Sequence, residues 1–183
     1  MKKAMSMNSS VGRKINLIRG VATYAAIVGS VLLSGCSHGP KIKPLSLSIH
    51  PEGQAPNLTI PVYVAGATKE STVLKAPVDQ VLQEFAAKPP DPAKVKMFHL
   101  TQTVTNITTK DPQWKSWNTF ADHIVVIADL PRNFGGAGSG ANDRRRVEVP
   151  LDKRRWNDLP KNTVDVRISE KAVWLDREPG PVP

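Results

Sequence analysis

Cysteine occurs once in the 183 residues, at Cys36. A single thiol cannot close a disulfide within the chain, and it excludes zinc ribbons built on paired cysteines. Histidine is nearly as scarce, with four scattered residues, so a metal centre is not expected; no cofactor is expected either. Aromatic side chains make up only 5% of the chain. No acidic residue precedes Glu52. No apolar run reaches the roughly 20 residues that a membrane-spanning helix needs. What the chain does have is 16 Pro and 12 Gly in a background that is 40% hydrophobic and 22% charged. That balance is globular and turn-rich, and the length suits one domain.

The formal charge of +9 invites a nucleic-acid reading, but its distribution argues against one. Five of the basic residues, Lys2, Lys3, Arg13, Lys14 and Arg19, precede residue 40. The remainder holds 20 basic and 16 acidic side chains, a net of +4. The leading segment has the form of an export signal. A basic stretch is followed by small and apolar residues over 21–33, and a run of about 13 fits a secretory signal better than a retained anchor. Met5 or Met7 is an alternative start.

The run ends on Leu33, Ser34, Gly35 and Cys36. This resembles the bacterial lipobox, an aliphatic residue and two small ones before an invariant cysteine. The chemistry asks for these types. The thiol takes a diacylglyceryl group as a thioether, small residues admit the chain to the signal peptidase, and cleavage frees the Cys36 amine for a third acyl chain. One acyl chain binds a bilayer marginally, whereas three make a practically permanent anchor. Ser37 stands where Asp would retain an enterobacterial-type lipoprotein in the inner membrane, so the expected location is the periplasmic face of the outer membrane. The expected organisation is a signal peptide over 1–35, a lipidated tether over 36–44, a folded domain over 45–176 and a proline-rich tail over 177–183.

Within the domain the dominant period is two. Leu45, Leu47 and Ile49 alternate with serines, as in a half-buried strand. Residues 50–56 carry turn chemistry. Leu58, Ile60, Val62 and Val64 alternate again, and Pro61 marks that strand as an edge or a bulge. Residues 97–106 read as one Thr-rich strand. Residues 123–128 hold four aliphatics in succession, as in a strand covered on both faces. A glycine-rich loop is expected over 131–141. Further strands are expected around Val147 to Leu151, Val164 to Ile168 and Val173 to Leu175. One segment breaks the pattern: Val78, Val81, Leu82 and Phe85 predict a helix over about 77–88, stopped by Pro89 and Pro90. A second short helical turn is expected near residues 111–120. The fold class is therefore mainly β, a sandwich with one or two short helical insertions.

Chemistry is harder to find. His99 and His123 belong to strand patterns and to no nucleophile elbow or metal-spaced pair. The Gly135 to Gly140 run lacks the ending of a phosphate loop. No catalytic constellation and no small-molecule substrate are indicated. Arg144, Arg145 and Arg146, with Lys153, Arg154 and Arg155, flank one strand. They suit either an acidic partner or anionic headgroups, or the solvated charge that protects a sheet edge. Trp114, Trp117 and Trp156 suit either an interface anchor or the core.

The order of these parts resembles the outer-membrane lipoprotein family of type VI secretion systems, TssJ. The matching pieces are the lipobox, the strands at 45–49 and 57–64, Ile124 to Leu130, and Val164 to Ile168. The stretch 69–117 is longer and more polar than the family pattern, and Asp129 stands where an aromatic is expected. The resemblance implies a transthyretin-like sandwich without enzymatic activity. It implies a role in tethering the secretion membrane complex by binding the periplasmic part of an inner-membrane partner, TssM. By position, the family's contact loop falls on residues 50–57 here, giving Glu52, Gly53, Gln54, Ala55 and Asn57 as partner-binding residues. A generic lipoprotein that binds an envelope component is the alternative reading, and a lipid-anchored hydrolase is a more distant one.

Overall fold

The computed structural model describes residues 45–53, 58–131, 143–156 and 159–181. Leu33, Ser34, Gly35, Cys36, Gln54, Ala55, Asn57 and the glycine run lie outside the described residues.

Among the described residues, eight strands form two four-stranded sheets. In the first, β4 (Thr105–Ile107), β1 (Ser46–Pro51), β7 (Thr163–Ile168) and β8 (Val173–Leu175) lie side by side. β1 and β7 are parallel, with Ser46 opposite Thr163, and the other pairs are antiparallel. In the second, β3 (Val95–Leu100), β2 (Ile60–Ala67), β5 (His123–Ala128) and β6 (Arg146–Pro150) are all antiparallel. The alternation read in the sequence sends Leu47, Ile49, Val164, Val166 and Ile168 inward from the first sheet, and Val62, Val64, Ile124 and Val126 inward from the second. Each such side chain is worth about 1.5–3 kcal/mol on burial. The fold is thus a mainly β sandwich.

The two faces of β5 are both covered, as its unbroken apolar run requires. Ile124 and Val126 enter the sandwich core, while Val125 and Ile127 join a second cluster with Val78 and Val81. That second cluster lies under α1 (Thr72–Lys75) and α2 (Val78–Ala87). Pro77 is the N-cap of α2. The third helix, α3 (Pro112–Phe120), turns Trp114 and Trp117 into the core. Trp117 lies against Gly66, where any Cβ would come within 2.5 Å of the indole.

Two expectations are corrected. Pro61 sits in a central strand, because β2 pairs with both β3 and β5. The proline is tolerated because its ladder position on the β5 side falls beyond the last pair, Val62 with Ala128. The carbonyl of Pro61 there accepts from the Asp129 amide at 2.9 Å. The expected single strand over 97–106 is two, β3 and β4, in opposite sheets; Thr101 to Val104 between them are all exposed. The tail is fastened at Gly180, whose amide donates to the Arg155 carbonyl at 2.6 Å while Arg155 Nε donates back to the Gly180 carbonyl at 2.9 Å.

Candidate interaction surface

No helix covers the outer face of the first sheet among the described residues. The residues between its inward aliphatics point out: Ser48 and His50 from β1, Asp165 and Arg167 from β7, and Trp174 from β8. Register brings them together, with His50 opposite Arg167 and Arg167 opposite Trp174. The His50 ring nitrogen Nε2 lies 3.0 Å from Asp165 Oδ1. Arg167 donates from Nε to Asp176 Oδ1 at 2.8 Å and pairs through Nη1 with Glu52. These carboxylates, Asp176 first and then Glu52, raise the pKa of the guanidinium above its ordinary value. Trp174 is 37% exposed, a large apolar side chain on a charged face.

The candidate loop leaves β1 at the edge of this surface. The Glu52 amide extends the β1–β7 ladder by donating to the Ile168 carbonyl at 2.8 Å. Its side chain is held by Arg167, so the start of the loop is fixed on a rigid sheet. Gly53 then turns in the left-handed region at φ +58°, with nothing within 4 Å of where a Cβ would stand. Glycine adopts that conformation without steric cost. The arrangement presents alternating charge and hydrogen-bonding groups on the surface. Among the described residues, no group of three or more His, Cys, Asp or Glu is placed to hold a metal ion.

The two basic clusters are not one surface. Arg145 is 6% exposed and Arg146 is 4% exposed. Arg145 grips Asp143 with two bonds, Nε to Oδ1 at 3.0 Å and Nη2 to Oδ2 at 2.7 Å, and reaches Asp79 Oδ1 at 2.7 Å from Nη1. Burial pushes the Asp143 carboxyl up, but the hydrogen bonds from Arg145 outweigh it and hold the pKa below the usual carboxylate range. Arg146 donates from Nη1 to the carbonyls of Val73 at 3.0 Å and Ala76 at 2.8 Å. Both arginines therefore fasten the helical pair α1 and α2 to the β6 edge, and neither offers its charge to a partner. The expected basic surface shrinks to Arg144 and the turn Lys153–Arg155. In that turn Lys153 Nζ donates to Asn162 Oδ1 at 2.9 Å, Arg154 pairs with Asp152 at 2.7 Å, and Arg155 holds the tail.

The tryptophans belong to the core. Trp114, Trp117 and Trp156 are almost fully buried. Trp117 Nε1 donates to the Lys94 carbonyl at 2.6 Å, and Trp156 Nε1 to the Pro150 carbonyl at 2.8 Å. His99 is exposed, and His123 is half-buried at the start of β5. Burial pushes the His123 pKa down, with Arg155 and Lys69 adding to that and Glu148 and Asp122 opposing it. Sequence reasoning missed the outer face of the first sheet. Its signal was the polar half of the same alternation that marked the core.

No protein-family model matches the chain, and no curated protein matches it. Among solved structures, a chain described as the type VI secretion protein TssM C-terminal domain from EAEC is similar at 14% identity and a TM-score of 0.47, over 74% of this chain and 99% of that one. The Lip protein of Serratia marcescens, described as a membrane-bound component of the type VI secretion system, is similar at 14% identity and a TM-score of 0.44, over 74% and 99%. The type VI lipoprotein TssJ1 of Pseudomonas aeruginosa is similar at 14% identity and a TM-score of 0.41, over 76% and 100%.

Proposed function

We propose that this protein is a lipid-anchored lipoprotein of the outer membrane that faces the periplasm and tethers a type VI secretion membrane complex. Its partner is the periplasmic part of an inner-membrane protein, and it catalyses no reaction. The observation that carries this reading is the position of the β1–β2 loop relative to the point where the chain enters the sandwich. The chain enters at Leu45, next to the first residue of β1, and Glu52 follows the last. Six strand residues separate the two by roughly 20 Å. The eight residues between Cys36 and Leu45 reach at most about 26–29 Å. A sandwich held that close to a membrane with its loop at the far end of β1 offers the loop to something arriving across the periplasm. The lipobox supplies the anchor, and the fixed start of the loop at Glu52 supplies a preorganised contact.

Metabolic labelling with radioactive palmitate, followed by membrane fractionation, tests the anchor. Wild type is expected to label and to fractionate with the outer membrane. Cys36→Ser is expected to remain unlabelled and unprocessed. Equal labelling of the two, or labelled protein in the inner membrane, contradicts the reading.

A further inference from the structure

The sandwich has two ends that differ in charge. β1 and β7 start together at one of them. Three contacts bring the second sheet to the same end. The Asp122 amide, just before β5, donates to the carbonyl of Ala67 at the end of β2, at 3.0 Å. The Leu151 amide, just after β6, donates to the Asp122 carbonyl at 2.9 Å. Lys153 Nζ then reaches Asn162, the residue before β7. β4 runs against β1 and finishes here too, with Ile107 opposite Leu47. From there α3 crosses to the start of β5 and closes this end, its tryptophans turned inward.

What this end shows to solvent is basic. Lys69, Lys94, Lys110, Lys115 and Lys161 are all exposed, and none is ion-paired among the described residues. The carboxylates here are mostly taken: Glu70 pairs with Lys75, Asp111 with Lys96 and Asp152 with Arg154. Asp91, in the turn before Lys94, and Asp122 are exposed and offset two of the five lysines, while the exposed Glu178 stands next to Arg177. Phe120, the last residue of α3, is 39% exposed among them. Described residues at the opposite end are balanced, with Arg144 and Lys171 against Asp129 and Glu170. This is also the end at which the chain enters at Leu45.

We infer that the α3 end of the sandwich is a bilayer-contact face that recognises anionic phospholipid headgroups. The inference rests on the lipid-anchor reading, which brings this end within reach of the leaflet. Lysines act on anionic lipid only within about a Debye length, near 8 Å, so a tether of this length permits contact without enforcing it. Headgroup attraction supplies the enforcement, and Phe120 adds an apolar contact at the headgroup boundary. Docked in this way, the sandwich stops swinging on its tether, and its β1–β2 loop is held pointing away from the membrane.

Amine footprinting of the mature lipoprotein tests this. The protein is reconstituted into vesicles of phosphatidylcholine alone, or of phosphatidylcholine with phosphatidylglycerol. Lysine modification rates are read by mass spectrometry. In anionic vesicles Lys69, Lys110, Lys115 and Lys161 are expected to react about fivefold or more slowly than in neutral ones, in line with the attraction per charge. Lys171 is expected to react equally in both. The double variant Lys110→Glu, Lys115→Glu is expected to restore the rates of Lys69 and Lys161. Equal rates in the two vesicle types, equal protection in neutral vesicles, or protection of Lys171 overturns the inference. The same spectra report whether Cys36 carries lipid. Unlipidated protein overturns the anchor reading and this inference with it, whereas lipidated protein with equal rates overturns this inference alone.

Discussion

Arg145 separates a structural arginine from a partner-facing one. Replacing it with Met keeps the aliphatic stem and removes the guanidinium. Asp143, only 3% exposed, then loses both side-chain bonds from Arg145 and keeps the Arg145 amide at 2.9 Å. Asp79, about a third exposed at the start of α2, loses a bond but regains water. The cost therefore falls on the buried carboxylate. Removing one partner of a buried pair costs about 3–5 kcal/mol. For a domain of this size that lowers the melting temperature by roughly 10–15 °C. Asp143→Asn in the Arg145→Met background removes the stranded charge and is expected to recover about 1–3 kcal/mol. Arg144→Met, at an exposed neighbour, is expected to stay within about 0.5 kcal/mol of wild type. Thermal melts followed by circular dichroism measure all three. An Arg145→Met protein that melts with wild type refutes the argument and returns Arg145 to the surface charge its sequence suggests.

Two further perturbations test the fold and its pH response. Gly66→Ala places a Cβ 2.5 Å from Trp117 Cδ1 and 2.8 Å from Cγ. The indole cannot easily yield, being bonded to Lys94 and set edge-on to Trp114 at 5.6 Å. Overpacking of this kind costs about 1–3 kcal/mol, so the melting temperature is expected to fall by several degrees, and an unchanged melt refutes the contact. His123 has a folded pKa below its ordinary value, chiefly through burial. The neutral ring therefore contributes stability that is fully present above the unfolded pKa of about 6.5 and is lost as pH falls through the lower folded pKa. Urea midpoints measured downward from neutral pH are expected to decline in wild type and to flatten in His123→Gln; parallel curves contradict this.

Most of the strands were legible because their burial is one-sided. Leu47 with Ile49, and Val164 with Val166, show the period of two that a sheet imposes. α2 was legible for the corresponding reason, since Val78 and Val81 repeat at helical spacing over the β5 face. What escaped depends on partners distant in sequence. Arg145 and Arg146 look like solvated charge until Asp79 and the carbonyls of Val73 and Ala76 are brought beside them, some seventy residues away. The break between β3 and β4 escaped because Thr101 to Val104 have the same β-prone composition as the strands they separate. Only the crossing from one sheet to the other distinguishes them. Pro61 misled because its missing N–H matters only on the side where a ladder continues, and at this position the β5 ladder has ended. The candidate loop was legible as turn chemistry between two strands. The Arg167 contact that fixes Glu52 at its start was not, since it joins residues 115 apart.

The measurement that bears most directly on the proposed role is binding of the partner's periplasmic fragment to the lipoprotein before and after loop replacement. Glu52, Gly53, Gln54 and Ala55 are exchanged together for a Gly-Ser sequence. The exchange removes one solvent-accessible ion pair, worth about 0–1 kcal/mol, so melting is expected to be nearly unchanged. Isothermal titration is expected to show binding to wild type and none to the replacement. Equal affinity for the two, with charge reversal of Arg144 and of Lys153–Arg155 also without effect, would place the interface elsewhere and contradict the account.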